Sequence, residues 1–321
     1  EILLPERAVR DSEMLKNIPN AVSIDLDGQW ASKAALGCAV EQGSDPYFSA
    51  VPRFLDLCEK WRLKATFFVV GWDLKDRGKR RRIQDIHRQG HEIGNHSLTH
   101  VIPFSDLSRR RKFQEIDDSG KRIADSVGEA PVGFRAPAYG VDEETLEILS
   151  SLGYQYDSSV MPTPLLLGRR ITAAWHYGWK SRSAWGLGRL KHCLAPKTPY
   201  LPARMRLWTP GKASLWEIPV TVITCAMLPL SSTLCLTMPE AFTRWMTAIC
   251  RHRKQPFHWT FHLRDLVDAE RDGVDRKIAG LPVVKRPLAQ KLKIVEQILF
   301  LNKAGPLRDV AAALGPPASA T

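Results

Sequence analysis

The chain has 321 residues, 44% of them hydrophobic and 25% charged. That balance suits one large α/β domain or two smaller ones, and excludes a disordered or fibrous protein. A net charge of +12 points to an anionic partner: nucleic acid, a membrane surface or an acidic glycan.

Two basic runs, GKRRR (Gly78 to Arg82) and RRRK (Arg109 to Lys112), read as exposed helix faces, and the remaining basic residues look dispersed. The six cysteines show no CxxC spacing, and neither a zinc knuckle nor a disulfide framework is indicated. Neither a signal peptide nor an apolar run of roughly 18 residues is recognisable, so the expected setting is cytoplasmic, with no transmembrane segment.

In chain order, AVSIDL (21–26) reads as a buried strand with acidic residues at its end. PRFLDLCEKWR (52–62) has helical spacing, with Pro52 near its start. ATFFVV (65–70) is a strand ended by Gly71. A helix over 80–89 stops at Gly90, and a short strand leads into HEIGNHSLTH (91–100). A long polar helix spans 105–127. VGFR (132–135) is a strand, 142–151 a helix, and 154–157 another strand. Such alternation predicts parallel strands joined by crossover helices. The segment 161–211, rich in Pro, Gly, Trp and Arg, breaks the rhythm and is expected to be a long irregular insert. LWEIPVTV (215–222), a helix over 239–252, FHWTFH (257–262) and a helix over 288–302 complete the pattern. The expectation is one domain over 1–305 with a flexible tail over 306–321.

The unusual polar residues gather where strands end: Asp25 and Asp27, His96 and His100, Arg135, Asp157 and His262. In parallel α/β folds those ends converge on one rim, where active sites are built. One carboxylate with two neutral imidazoles is an ordinary ligand set for a divalent metal, leaving positions open for water and substrate. The second aspartate would be free to act as general base, His262 to protonate a leaving group, and Arg135 to orient the base. His91 and Glu92 are expected to be structural. His258 shares the parity of His262 and is a candidate pocket residue.

SIDLDG, GHEIGNHSLTH, GFRAPAYG, YDSSV and TFHLRD, in this order, resemble the five motifs of the NodB-type polysaccharide deacetylases, a carbohydrate esterase family 4-like group. The resemblance spans residues 22 to 265. It implies a distorted (β/α) barrel of about seven parallel strands, and a metal-dependent enzyme that removes N- or O-linked acetyl groups from sugars. By position, Asp25 resembles the catalytic base, Asp27, His96 and His100 the metal ligands, Arg135 the residue holding the base, and His262 the general acid. Asp157 corresponds to the acid of the fourth motif.

The ion implied is zinc first, with cobalt, nickel or iron as alternatives. The partner is an acetylated oligo- or polysaccharide, anionic in one reading, from the cell surface or its biosynthetic precursor, with N-acetyl ahead of O-acetyl. Nucleic acid is not expected, and oligomeric assembly is left open. A second reading is a catalytically inactive protein of this fold that binds an anionic glycan or nucleic acid.

Three departures from the usual motifs stand out. Leu26 separates the two aspartates. The third motif has one extra residue between Pro137 and Gly140, which leaves open which backbone N–H would hold the oxyanion, with that of Tyr139 as one candidate. Thr260 stands where a leucine usually lines the acetyl pocket. Trp175, Trp179, Trp185 and Trp208 fall in the insert, where aromatic faces suit stacking on a sugar.

Overall fold

The computed structural model describes residues 17–28, 31, 45–165, 190–223, 227–253, 255–300 and 303–317. Twelve strands occur among them. They are β1 (Asn20–Asp25), β2 (Thr66–Val69), β3 (Glu92–Asn95), β4 (Gly133–Phe134), β5 (Tyr156–Asp157), β6 (Pro202–Ala203), β7 (Arg206–Pro210), β8 (Trp216–Glu217), β9 (Val222–Ile223), β10 (Leu228–Pro229), β11 (His258–His262) and β12 (Ala304–Gly305). The main helices are α1 (Tyr47–Lys60), α2 (Arg77–Arg88), α3 (Arg109–Val127), α4 (Glu143–Ser151), α5 (Ser232–Thr237), α6 (Glu240–His252), α7 (Leu288–Phe300) and α8 (Leu307–Leu314).

Seven strands run parallel in the order β11-β1-β2-β3-β4-β5-β8, with β12 added beside the start of β1. Beyond β8 the chain closes the gap to β11. Ile218 N–H donates to Asp157 O (2.8 Å), Leu230 N–H to Thr221 O (2.8 Å) and Thr260 N–H to Leu230 O (3.0 Å). The parallel strands agree with the alternating elements, and the result is the distorted (β/α) barrel that the resemblance implies.

Strand pleating sorts the side chains into an outer and an inner set. Val22, Ile24, Phe67, Val69, Trp259 and Phe261 face the surrounding helices, where they pack with Phe54 of α1 and Ile294 and Ile298 of α7. Phe68, Tyr156 and Trp216 instead pack inside with Leu307, Val310 and Leu314 of α8. The expected flexible tail therefore begins as a helix that plugs the N-terminal mouth of the barrel. Its first turn is tied by Leu307 N–H to Thr66 Oγ1 (2.7 Å) and Arg308 N–H to Glu92 Oε2 (2.9 Å). A carboxylate at a helix N-terminus also suits the helix dipole. With this end closed, the C-terminal ends of the strands form the open rim.

Other differences from the sequence reading have local causes. Helix α1 starts five residues earlier than expected and carries Pro52 inside. Proline there removes one bond, to the carbonyl of Phe48, whose side chain is exposed near the helix start. Part of the expected irregular insert is regular: the 3₁₀ turn Leu190–Leu194 and the antiparallel pair β6–β7. In the RRRK run, Arg109, Arg110 and Arg111 are exposed on α3 as expected, while Lys112 is buried; Arg109 pairs with Glu147, Arg111 with Glu115 and Lys112 with Asp142 and Glu144. Among the described residues no helix is long and apolar enough to cross a membrane, and Cys58, Cys235 and Cys250 are free thiols.

His91, at the entry to β3, accepts the Ala65 N–H on Nδ1 (3.1 Å). Burial, then Lys64 and Arg308, push its pKa down to about 4. Between pH 6.5 and 4 the unfolded chain binds a proton here that the native chain refuses, so stability falls as pH falls through that window. His91→Gln keeps an acceptor for Ala65 and does not titrate. Urea unfolding at pH 7 and pH 4.5 should show a smaller acid loss in the variant, by up to about 3 kcal/mol. Identical losses in the two proteins would refute this reading of His91.

Candidate active site

The rim collects its polar groups through register. Asp25 ends β1 beside His262 of β11 and Phe68 of β2, so strand pairing alone puts the carboxylate next to the imidazole. Asp25 Oδ1 accepts from Arg135 Nη1 (2.6 Å), and His262 Nε2 lies 3.7 Å from Asp25 Oδ2.

Arg135 is fully buried, and each of its donor groups has a partner. Nε donates to Ser158 O (2.8 Å), Nη1 also to Ser23 Oγ (2.9 Å), and Nη2 to Ser158 Oγ (3.0 Å). Burial alone would lower its pKa, but the Asp25 carboxylate outweighs that and raises it. Beneath the guanidinium lies the Phe68 ring, 4.2 Å from its central carbon. A Cβ on Gly94 would meet that ring at 2.7 Å. The glycine of HEIGNH is thus the space that lets Phe68 support Arg135.

The second cluster is Asp27, His96 and His100, whose candidate ligand atoms all lie within 4.8 Å of one another. Asp27 Oδ1 is 3.2 Å from His96 Nε2 and 3.1 Å from His100 Nε2. His96 Nδ1 is 2.7 Å from the Arg135 carbonyl, which can only accept, so Nδ1 carries the proton. In a neutral ring Nε2 then aims a lone pair at the carboxylate, an arrangement that a cation between them relieves. Both ring nitrogens of His100 and Oδ1 of Asp27 are buried without hydrogen-bond partners. Two imidazole nitrogens, one carboxylate oxygen and these orphaned atoms fit a divalent metal ion.

The backbone of NHSLTH turns sharply to make this possible, with positive φ at Ser97 (64°) and His100 (51°). Asn95 Oδ1 holds the Ser97 N–H (3.0 Å). Glu115 of α3 holds both the N–H (2.7 Å) and the hydroxyl (2.6 Å) of Thr99.

His262 is fixed from behind. Its N–H donates to Asp265 Oδ2 (3.0 Å), and Thr233 Oγ1 bridges its Nδ1 (3.3 Å) to Asp265 Oδ1 (2.8 Å). Since the hydroxyl gives its proton to the carboxylate, it accepts from Nδ1–H, which leaves Nε2 facing Asp25. Burial and then Arg264 push the His262 pKa down to about 4. Arg264 itself stands 3.8 Å from Asp27 Oδ2, at the solvent side of the cluster.

Not every expected residue reaches this site. Pleating sends Tyr156 into the barrel and turns Asp157 to the opposite face, where it pairs in register with Glu217. Asp157 accepts from Ser159 Oγ (2.6 Å), which in turn accepts the Ala136 N–H (2.8 Å). It therefore braces the backbone next to Arg135 rather than touching Asp25. Burial and the neighbouring carboxyl hold Glu217 well above the usual carboxylate range, so the two share a proton.

The Tyr139 N–H, one candidate oxyanion donor, is occupied by Ala136 O (3.1 Å), because residues 137–139 form a 3₁₀ turn. Its side-chain hydroxyl sits 3.3 Å from Thr260 Oγ1, which lines the interior beneath the site. His258 lies a layer lower, 2.7 Å from Ser23 Oγ, buried away from the rim; it supports Ser23 and Arg135 and meets no open pocket. Trp175 and Trp179 fall outside the described residues, and Trp208 is partly buried under Lys191 (4.5 Å from its ring).

Ser23, Ser158, Glu115, Thr233, Asp265 and Glu217 were not singled out from sequence. The serine of SIDLDG and those of YDSSV lay inside the quoted motifs. Glu115 and Thr233 carry no such signal.

The family model "Polysaccharide deacetylase" matches residues 40–156, which include HSLTH and GFRAPAYG. A peptidoglycan deacetylase of Helicobacter pylori is 32% identical over 153 residues, covering 46% of this chain and 51% of that protein. A peptidoglycan-N-acetylglucosamine deacetylase of Bacillus cereus is 27% identical over 120 residues, covering 37% and 54%. The chain thus spans about half the length of these curated relatives. A putative polysaccharide deacetylase from Mycobacterium smegmatis shares the fold across 95% of both chains, with a TM-score of 0.55 at 17% identity. With the five motifs in order along this barrel and the family model matching residues 40–156, the chain is similar to the NodB-type polysaccharide deacetylases.

Proposed function

We propose that the chain is a metal-dependent hydrolase that removes an acetyl group, N-linked before O-linked, from a sugar of a cell-surface polysaccharide or its precursor. The observation that carries this reading is the lodging of Asp25 between Arg135 and His262, directly beside the Asp27–His96–His100 cluster. The relatives named for peptidoglycan and for N-acetylglucosamine support the amide and the sugar class.

Asp27, His96 and His100 would hold one divalent ion, zinc before cobalt, nickel or iron. When bound, such an ion supplies Lewis-acid polarisation of the acetyl carbonyl and makes the attacking water more acidic. Asp25 takes the proton from that water. Arg135 keeps the carboxylate aimed, since its own position is set by Ser23, Ser158 and Phe68. With its pKa near 4, His262 starts neutral at pH 7. It therefore receives the proton from Asp25 across the 3.7 Å contact and passes it to the departing nitrogen. The Thr233–Asp265 pair steadies the imidazole as it charges.

Acetate release from a panel of oligosaccharides matched in sugar but acetylated on N or on O tests the reading. Release from the N-acetylated members ahead of the O-acetylated ones is expected. A folded protein that cleaves none of them would favour the inactive binding reading. Glu115 supplies a subtler check, because it anchors Thr99 beside His100. Glu115→Ala is expected to weaken metal affinity about 10–100-fold, measured by competition with a chelating dye. Unchanged affinity would remove Glu115 from the account.

A further inference from the structure

The net charge of +12 is not spread evenly. Between Asp157 and Glu217 the 59 intervening residues contain ten Lys or Arg and no Asp or Glu, so the rest of the chain is close to neutral. In the described part of this stretch, the turn Leu190–Leu194 and the hairpin β6–β7 form one module that adds Ala195, Tyr200 and Leu207 to the core holding Phe104, Phe134 and Leu149. Cys193 Sγ lies 3.2 Å from Thr163 O, just past the C-terminal end of β5, so the turn leans on the open rim.

The two most exposed large apolar side chains among the described residues both belong to this module: Leu194 (75%) and Met205 (77%). Each is flanked by exposed basic groups. Lys191 shares the turn with Leu194, and Arg204 and Arg206 bracket Met205 at the hairpin tip. Apolar tips set among cations, with no carboxylate between, match the headgroup and upper acyl layers of an anionic bilayer. A soluble polyanion would use the cations and leave the two apolar tips in water.

We infer that this module docks the protein on an anionic lipid surface, Leu194 and Met205 entering the interface and Lys191, Arg204 and Arg206 meeting lipid phosphates. The docking is independent of the reaction proposed above.

Co-sedimentation of the full chain with phosphatidylcholine vesicles, with and without phosphatidylglycerol, tests it. Binding should require phosphatidylglycerol and weaken with salt. Arg204→Glu with Arg206→Glu should bind at least about tenfold more weakly. Leu194→Ser with Met205→Ser should also weaken binding several-fold at unchanged charge. Arg77→Glu with Arg81→Glu, on exposed α2, serves as the control for net charge and should bind like wild type. Equal binding to neutral vesicles, or an equal loss in the α2 control, would overturn the proposal. So would wild-type binding by the Leu194/Met205 variant together with heparin capture that depends on Arg204 and Arg206, because that pattern marks a soluble polyanion as the partner.

Discussion

Asp25→Asn is expected to lower kcat by about 10²–10⁴-fold, the usual effect of losing a general base, with KM little changed. Asparagine has the shape of aspartate, and its side-chain oxygen can still accept from Arg135 Nη1, so the barrel should stay folded. What it loses is the capacity to take a proton from water and to pass one to His262. The variant should also retain its metal, because Asp27, His96 and His100 are untouched. Loss of activity with metal content intact separates the base from the ligands. Near-wild-type kcat in Asp25→Asn would remove Asp25 from the chemistry.

The second large effect is on stability. Arg135→Met should destabilise the protein by about 3–5 kcal/mol, because it leaves the buried Asp25 carboxylate without its counter-charge. The same change strips a donor from Ser23 Oγ, Ser158 O and Ser158 Oγ. Since methionine roughly fills the space over Phe68, cavity formation contributes little and the loss is chiefly electrostatic. The double variant Arg135→Met with Asp25→Asn should recover part of the loss, since the neutral side chain no longer needs pairing. Denaturant unfolding of the four proteins reads the coupling directly. Strict additivity would mean that the two residues do not act as a pair.

The rim was legible in the sequence because strand ends are marked by abrupt changes from apolar runs to polar residues. AVSIDLD and FHWTFH show that change, and parallel register then brings Asp25 beside His262. Side-chain parity in very short strands was harder to read. β5 is two residues long, and only the structure reveals that Tyr156 takes the inner position and Asp157 the outer one. The turn after Arg135 was obscure for a related reason: a 3₁₀ bond to Ala136 occupies the Tyr139 N–H, which composition does not betray.

Long-range supports were invisible in principle. Thr233 lies 29 residues before His262, and Glu115 16 residues after Thr99, so each contact exists only once helices α5 and α3 have docked. The C-terminal segment misled because it is rich in alanine and ends in GPPASAT. Its apolar positions Leu307, Val310, Ala311 and Leu314 follow helical spacing and fill the barrel mouth. The basic residues seemed dispersed because they are not adjacent. Only the missing acids between Asp157 and Glu217 reveal their concentration.

The central claim is that Asp27, His96 and His100 hold one divalent ion that the acetyl-hydrolysing site needs. The most direct measurement is acetate release from an N-acetylated oligosaccharide by chelator-stripped protein, titrated with zinc, in wild type and His96→Ala. The account predicts no release from the stripped protein and recovery that saturates at one equivalent in wild type. In His96→Ala, one equivalent should restore almost nothing. Undiminished release from stripped wild-type protein, or equal recovery in His96→Ala, would contradict it.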